Sequence, residues 1–292
     1  MSPIKFTQLN VPTEGGTLRI RVAESSGFSP RATPMLIVHG GPGGTDYLSK
    51  FLGEQIADHG YKPIGWIQRG SPGSTKSGPF TVERFIQDYE DIRGFLQVEQ
   101  MAILGHSWGG FLSTCYAAIF PEIIERLILV CPMGVRTGWR DHFDDVLFQR
   151  IPDDEKPLYL QLTDQAKQEK DETNRQEILF KRAQIHVYSY YSPSKREGKP
   201  GLAHLSMDVH EALHHSAEEW IQQPAWEQGL QRLHCPSTLI CGDEDAIPLD
   251  VARDYNEIIP NLNLSVINKC GHFPFFESPE EFQKELEAAL TS

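Results

Sequence analysis

Three side chains that stand far apart in the chain could together carry out acyl transfer: the hydroxyl of Ser107, the carboxylate of Asp245 and the imidazole of His272. Ser107 is the centre of Gly105-His106-Ser107-Trp108-Gly109, a G-x-S-x-G pattern between an apolar run at 101–104 and a helix-compatible run at 111–120. Strand, sharp turn and helix in that order lift a serine hydroxyl clear of a sheet, and the two glycines leave room for neighbouring backbone. A serine hydroxyl is a poor nucleophile until a base takes its proton, and the base needs an acid to orient it. Gly242-Asp243-Glu244-Asp245 offers three acids after an apolar run. Asp245 is preferred because it stands just before Pro248, which opens the next helix; Asp243 is the alternative. His272 follows Gly271 at the exit of the last apolar run, from where it can reach back over the same sheet edge. The glycines of His39-Gly40-Gly41-Pro42-Gly43-Gly44 let backbone amides approach a substrate oxygen. The amides of Gly41 and Trp108 are the candidate oxyanion donors, with His39 bracing the loop. A phosphate-binding loop is the competing reading, but no Lys-Ser/Thr follows and G-x-G-x-x-G is not matched.

These residues need strands and helices to bring them together. Residues 4–24 read as a β-hairpin around 14–16, and strands are predicted at 34–39, 62–68, 101–104, 124–131, 236–241 and 264–268. Helices are predicted at 47–59, at 81–96 with Thr81 as N-cap, at 249–259 and from Ser278 onward. Alternating strands and helices predict an α/β fold with a mostly parallel sheet and helices on both faces. The alternation stops at Pro132, and 133–233 is polar, charged and helix-rich. The chain therefore divides into a core of 1–132 and 234–292, interrupted by a helical insertion at 133–233 with a loop at 188–201.

Forty acids against 27 bases give a net charge of −13, which repels phosphate backbones and anionic lipid; neither nucleic acid nor a membrane is an expected partner. The first residues lack a basic-then-apolar targeting pattern. Cys115, Cys131, Cys235, Cys241 and Cys270 have no paired spacing and sit mostly in apolar contexts. Buried free thiols in a reducing, cytoplasmic setting are expected. Cys270 is read as lining the pocket, since Ser107 already holds the nucleophile position.

His-Gly-Gly-Pro-Gly-Gly together with Gly-His-Ser-Trp-Gly-Gly resembles the α/β-hydrolase superfamily, and within it the proline iminopeptidase family, along the whole chain. The resemblance implies that 133–233 is a helical cap over the site, that Ser107, Asp245 and His272 form a triad, and that Gly41 and Trp108 hold the oxyanion. It implies release of proline or another small apolar residue from the N-terminus of a short peptide, with no cofactor. Members usually read Asp-Gln-Arg-Gly-Ser-Gly-Arg-Ser where this chain has Ile67-Gln-Arg-Gly-Ser-Pro-Gly-Ser74. Some carry Glu after the triad acid to bind the substrate amine, and Ala246 stands there instead. Glu211 in the cap is the candidate for that role. A carboxylic ester or lactone is the alternative substrate.

His210-Glu211-Ala212-Leu213-His214 also matches H-E-x-x-H, whose two imidazoles on one helix face can bind Zn²⁺. Its third ligand would have to come from elsewhere, for instance Glu218 or Glu219. A solvated cap helix is preferred, so no metal is expected; a zinc peptidase and a non-catalytic ligand receptor remain the alternatives of other classes.

Overall fold

The computed structural model describes residues 4–24 and 32–291. Residues 1–3, on which the expected lack of a targeting pattern partly rests, lie outside them. Eight strands form one sheet in the order β1-β2-β4-β3-β5-β6-β7-β8. β1 (Phe6–Thr13) and β2 (Gly16–Ala23) are the expected hairpin, and β2 also pairs antiparallel with β4 (Lys62–Ile67). The remaining strands run parallel: β3 (Pro34–Val38), β5 (Met101–His106), β6 (Ile124–Val130), β7 (Ser237–Gly242) and β8 (Asn263–Ile267). Every residue of β3, β5 and β7 is buried, as strands covered on both faces must be.

Helices α1 (Ser49–Asp58), α2 (Val82–Leu96), α3 (Trp108–Ile119), α9 (Leu249–Ile258) and α11 (Pro279–Thr291) connect or cover these strands. Thr81 caps α2 as expected, its hydroxyl accepting from the Arg84 amide at 3.3 Å. A short helix, α10 (Pro274–Glu277), follows His272; the apolar run there showed no helical period to announce it. Between β6 and β7 stand α4 (Trp139–Arg150), α5 (Lys156–Gln168), α6 (Glu172–His186), α7 (Met207–Ile221) and α8 (Pro224–Leu230), with no strand among them. α8 packs on α3 of the sheet layer, where Trp226 meets Phe111 at a ring separation of 6.2 Å. No helix among the described residues is long and apolar enough to cross a membrane.

Parallel register decides where the chemistry can sit. Val38 is level with Gly105, His106 with Val130, Val130 with Ile240, and Cys241 with Val266. The chain leaves β3, β5, β6, β7 and β8 along one edge, so the His39 loop, Ser107, Cys131, Asp245 and His272 all emerge there. In open α/β sheets this carboxyl edge is where ligands bind.

Candidate active site

At the turn between β5 and α3, Ser107 has φ 55° and ψ −122°, a conformation rare for a residue with a side chain. The turn closes tightly: a Cβ on Gly109 would lie 2.2 Å from the Val38 carbonyl oxygen, and one on Gly105 would lie 2.4 Å from that of Gly109. This close approach is why the pattern requires glycine at both places. Ser107 is half-buried, and its hydroxyl makes no hydrogen bond to a described residue.

Asp245 and His272 come together from the ends of β7 and β8. His272 Nδ1 lies 2.8 Å from Asp245 Oδ2 and 3.1 Å from Oδ1, with both side chains only 2% exposed. The Ile247 amide donates to Asp245 Oδ1 at 3.0 Å and fixes the carboxylate. Asp243, the alternative acid, is exposed and accepts weakly from the Cys270 amide at 3.4 Å. His272 is bound to the serine turn through His106, whose Nε2 donates to the His272 carbonyl at 2.8 Å. The two imidazoles stand 4.8 Å apart.

The glycine loop reaches the same place. A Cβ on Gly40 would lie 2.7 Å from Ser107 Cβ. Gly41 has φ 60°, and no hydrogen bond joins its amide, or that of Trp108, to an acceptor among the described residues. His39 Nδ1 meets the Gly40 carbonyl at 2.8 Å, which braces the loop, and burial lowers its pKa.

Three side chains that sequence reasoning passed over fix these parts. Gln68, fully buried, accepts from Trp108 Nε1 at 3.0 Å and donates to the His39 carbonyl at 2.7 Å, joining the serine turn to the glycine loop. The Tyr47 hydroxyl accepts from the Gly40 amide at 3.0 Å and meets His106 Nδ1 at 2.5 Å. Because His106 Nε2 donates to a carbonyl, its Nδ1 accepts and the Tyr47 proton points at it. Burial depresses the His106 pKa well below the usual value, with the His272 ring adding to the effect, so the imidazole relays this contact as a neutral group. Glu277 accepts from the amides of Gly271 at 2.8 Å, Phe273 at 2.9 Å and Ser192 at 2.8 Å, clasping the residues on either side of His272. Only the strand-end position of Gln68, next to Arg69-Gly70, was a signal in the sequence.

Glu211 requires a correction. It lies exposed on the outer face of α7, where both its oxygens bind Arg175 at 2.9–3.0 Å, and the structure does not bring it to Ser107. Its neighbours His210 and His214 face inward instead, their rings 4.3 Å apart and that of His214 6.3 Å from Trp108. The H-E-x-x-H pair is not arranged for zinc. Arg140 Nη2 occupies His214 Nδ1 at 2.9 Å, and among the described residues no third donor joins the two histidines within metal-binding distance. Cys131, Asp245 and His272 do bring three possible ligand atoms within 4.8 Å. Burial holds the Cys131 thiol well above its ordinary pKa, though, so it faces the Asp245–His272 pair as a neutral group and a poor ligand. All five cysteines are unbridged, and burial pushes Cys270 up to about 12, as befits an inert buried thiol.

Strained serine, buried His–Asp pair and glycine loop on one parallel sheet edge agree with what comparison finds. The α/β-hydrolase fold family matches residues 33–279. The chain belongs to the α/β-hydrolase family. This α/β-hydrolase is similar to the proline iminopeptidase of Heyndrickxia coagulans, at 24% identity over 290 residues, covering 95% of this chain and 96% of that one. Among solved structures it resembles VinJ, with a TM-score of 0.71 at 19% identity and coverage of 97% and 98%. The proline iminopeptidase of Mycobacterium smegmatis gives 0.65 at 20% identity, covering 97% of each chain. An α/β-hydrolase with a proline iminopeptidase-like sequence is the conclusion that motif and comparison share.

Proposed function

We propose that the protein is a serine hydrolase that works through an acyl-enzyme, and that it releases proline or another small apolar residue from the N-terminus of short peptides. The hydrogen bond from His272 Nδ1 to Asp245 carries the reading, because it leaves Nε2 free to accept the proton of the strained Ser107 on the same sheet edge. In the first step His272 Nε2 takes the Ser107 proton as Oγ attacks the scissile carbonyl. Asp245 stabilises the imidazolium, and the amides of Gly41 and Trp108 receive the negative oxygen. The tetrahedral adduct collapses, His272 returns the proton to the leaving amine, and water repeats the sequence to free Ser107 and the acid. Residues 133–233 serve as a cap, with α4, α6 and α7 over the site and α8 anchored to α3.

The aminopeptidase part rests on the likeness to proline iminopeptidases and needs an acid for the substrate amine. A specific observation favours a second reading, an ester or lactone hydrolase: Ala246 is fully buried and Glu211 is turned away, so neither anticipated position offers an acid to an amine. Five unbridged cysteines suit a reducing cytoplasm, and the net charge of −13 suits neither nucleic acid nor anionic membrane.

Prolyl- and alanyl-arylamides compared with p-nitrophenyl esters distinguish the readings. An aminopeptidase cleaves prolyl-arylamide, and N-acetylation of that substrate abolishes the cleavage. Rapid ester turnover with untouched arylamide would leave the serine hydrolase and remove the aminopeptidase.

A further inference from the structure

The inner face of the cap carries positive charge that the serine mechanism does not use. Tyr190 lies tilted against His272, the His186 ring is 6.0 Å from that of Tyr190, and His210 pairs with His214, which lies 6.3 Å from Trp108. One group of rings runs from His272 and the other from Trp108, and His186 and His210 are close enough to feel each other's charge. Ser206, which opens α7, donates its amide to the Gly43 carbonyl at 3.1 Å and locks α7 onto the glycine loop.

Arg182 stands among these rings without an ion-paired acid. Its guanidinium lies 5.7 Å over the Tyr159 ring, its Nε is buried with no partner, and no carboxylate among the described residues comes within 4.0 Å. His186 and His210, which both feel the Arg182 charge, each have a buried Nδ1 with no partner. Arg140 is differently placed, since its Nε meets Glu218 at 3.1 Å. Its Nη2 can only donate, so His214 Nδ1 accepts and the His214 proton sits on Nε2, a fixed donor beside Trp108. Glu218 is exposed and taken by Arg140, and Asp144, also exposed, feels the Arg182 charge but forms no ion pair with it, so the Arg182 guanidinium has no bound acid among the described residues. In a chain of net charge −13, an arginine half-buried among neutral rings and orphaned nitrogens calls for an anion.

We propose that Arg182, with His186 and His210 beside it, is a carboxylate-binding subsite, and that the substrate carries a free carboxylate which seats there while its scissile carbonyl lies over Ser107. This deepens, and rests on, the hydrolase reading of Ser107. For a peptide substrate the group is the C-terminal carboxylate of a dipeptide. The cap then measures length: a longer peptide or an amidated end offers no anion at that point.

The test uses two matched pairs, prolyl-alanine against prolyl-alaninamide and monophenyl glutarate against its methyl ester. The second pair needs no amine. The free acid should be preferred in kcat/KM by about 10- to 100-fold in at least one pair, the strength of one hydrogen bond to a charged group. Arg182→Met should bring the ratio towards one, and Arg182→Lys should keep part of it. Since the ratio compares two substrates on the same protein, a loss of folded material does not change it. Neutral partners that turn over as fast as the acids in both pairs, or a preference that survives Arg182→Met, would overturn the subsite. Fluorophosphonate labelling of Ser107 reads the hydrolase claim separately: labelling without preference removes the subsite alone. If Ser107 is not labelled, calorimetric binding of glutarate decides the subsite by itself. Binding that Arg182→Met abolishes supports it, and no binding overturns it.

Discussion

Glu277→Ala should damage both stability and turnover, because one carboxylate holds three backbone amides at once. Glu277 is 6% exposed and accepts from Gly271 and Phe273, which flank His272, and from Ser192 on the 188–201 loop of the helical insertion. A hydrogen bond to a charged acceptor is worth about 1.5–3 kcal/mol, and a buried donor left without one loses a similar amount. At the lower end of that range the three bonds give a loss of about 4–5 kcal/mol, a large share of the 5–15 kcal/mol that holds a typical domain folded. Glu277→Gln keeps the shape and one accepting oxygen but turns an NH₂ against an amide, for a loss of about 2–3 kcal/mol. Urea unfolding followed by tryptophan fluorescence measures the first effect. Initial rates on a p-nitrophenyl ester, taken at urea concentrations where the variant is still folded, measure the second. Since Glu277 touches the backbone around His272 and no substrate, kcat should fall about 10- to 100-fold with KM nearly unchanged. A Gln variant with the wild-type unfolding midpoint and full kcat would refute the argument that this carboxylate positions the base.

Asp245→Asn should fold normally yet lower kcat by about 10³–10⁴-fold, because an amide holds the wrong His272 tautomer; initial rates check it. Gln68→Leu leaves the Trp108 indole and the His39 carbonyl unpaired in a buried place and should cost about 2–4 kcal/mol, read as a lower urea midpoint, together with slower turnover. Acid should destabilise the fold through its buried histidines. Burial lowers His186 to about 3, His210 to about 4 and His214 well below 6.5, so the unfolded chain binds more protons as pH falls below 6.5. That stability is present at pH 7 and is lost as pH falls towards those values, at most about 2 kcal/mol per histidine by pH 5. Equal urea midpoints at pH 7 and pH 5 would contradict it.

The parts of the site written locally were legible in the sequence. Gly105 to Gly109 specify a turn that backbone sterics alone demand, and the glycines after His39 mark a loop that must come close to something. Asp245 and His272 could be placed because each follows an apolar run that could only be a strand. Legibility failed where partners are distant in sequence. Gln68 reaches Trp108 across 40 positions, and Glu277 reaches Ser192 across 85, with no periodicity to connect them. Glu211 failed for another reason: the inward face of α7 runs through His210, Leu213, His214 and Ala217 at helical spacing, and residue 211 is about 100° away from it. That phase was available in the sequence, but the attraction of an acid in the cap outweighed it.

The most direct measurement is the rate and position of covalent labelling by a fluorophosphonate, read by intact mass and peptide mapping in the presence of a chelator. One adduct on Ser107, formed much more slowly in His272→Ala and Asp245→Asn, is the predicted result. An adduct elsewhere, labelling indifferent to His272 and Asp245, or turnover that persists in Ser107→Ala would contradict a catalytic role for this trio.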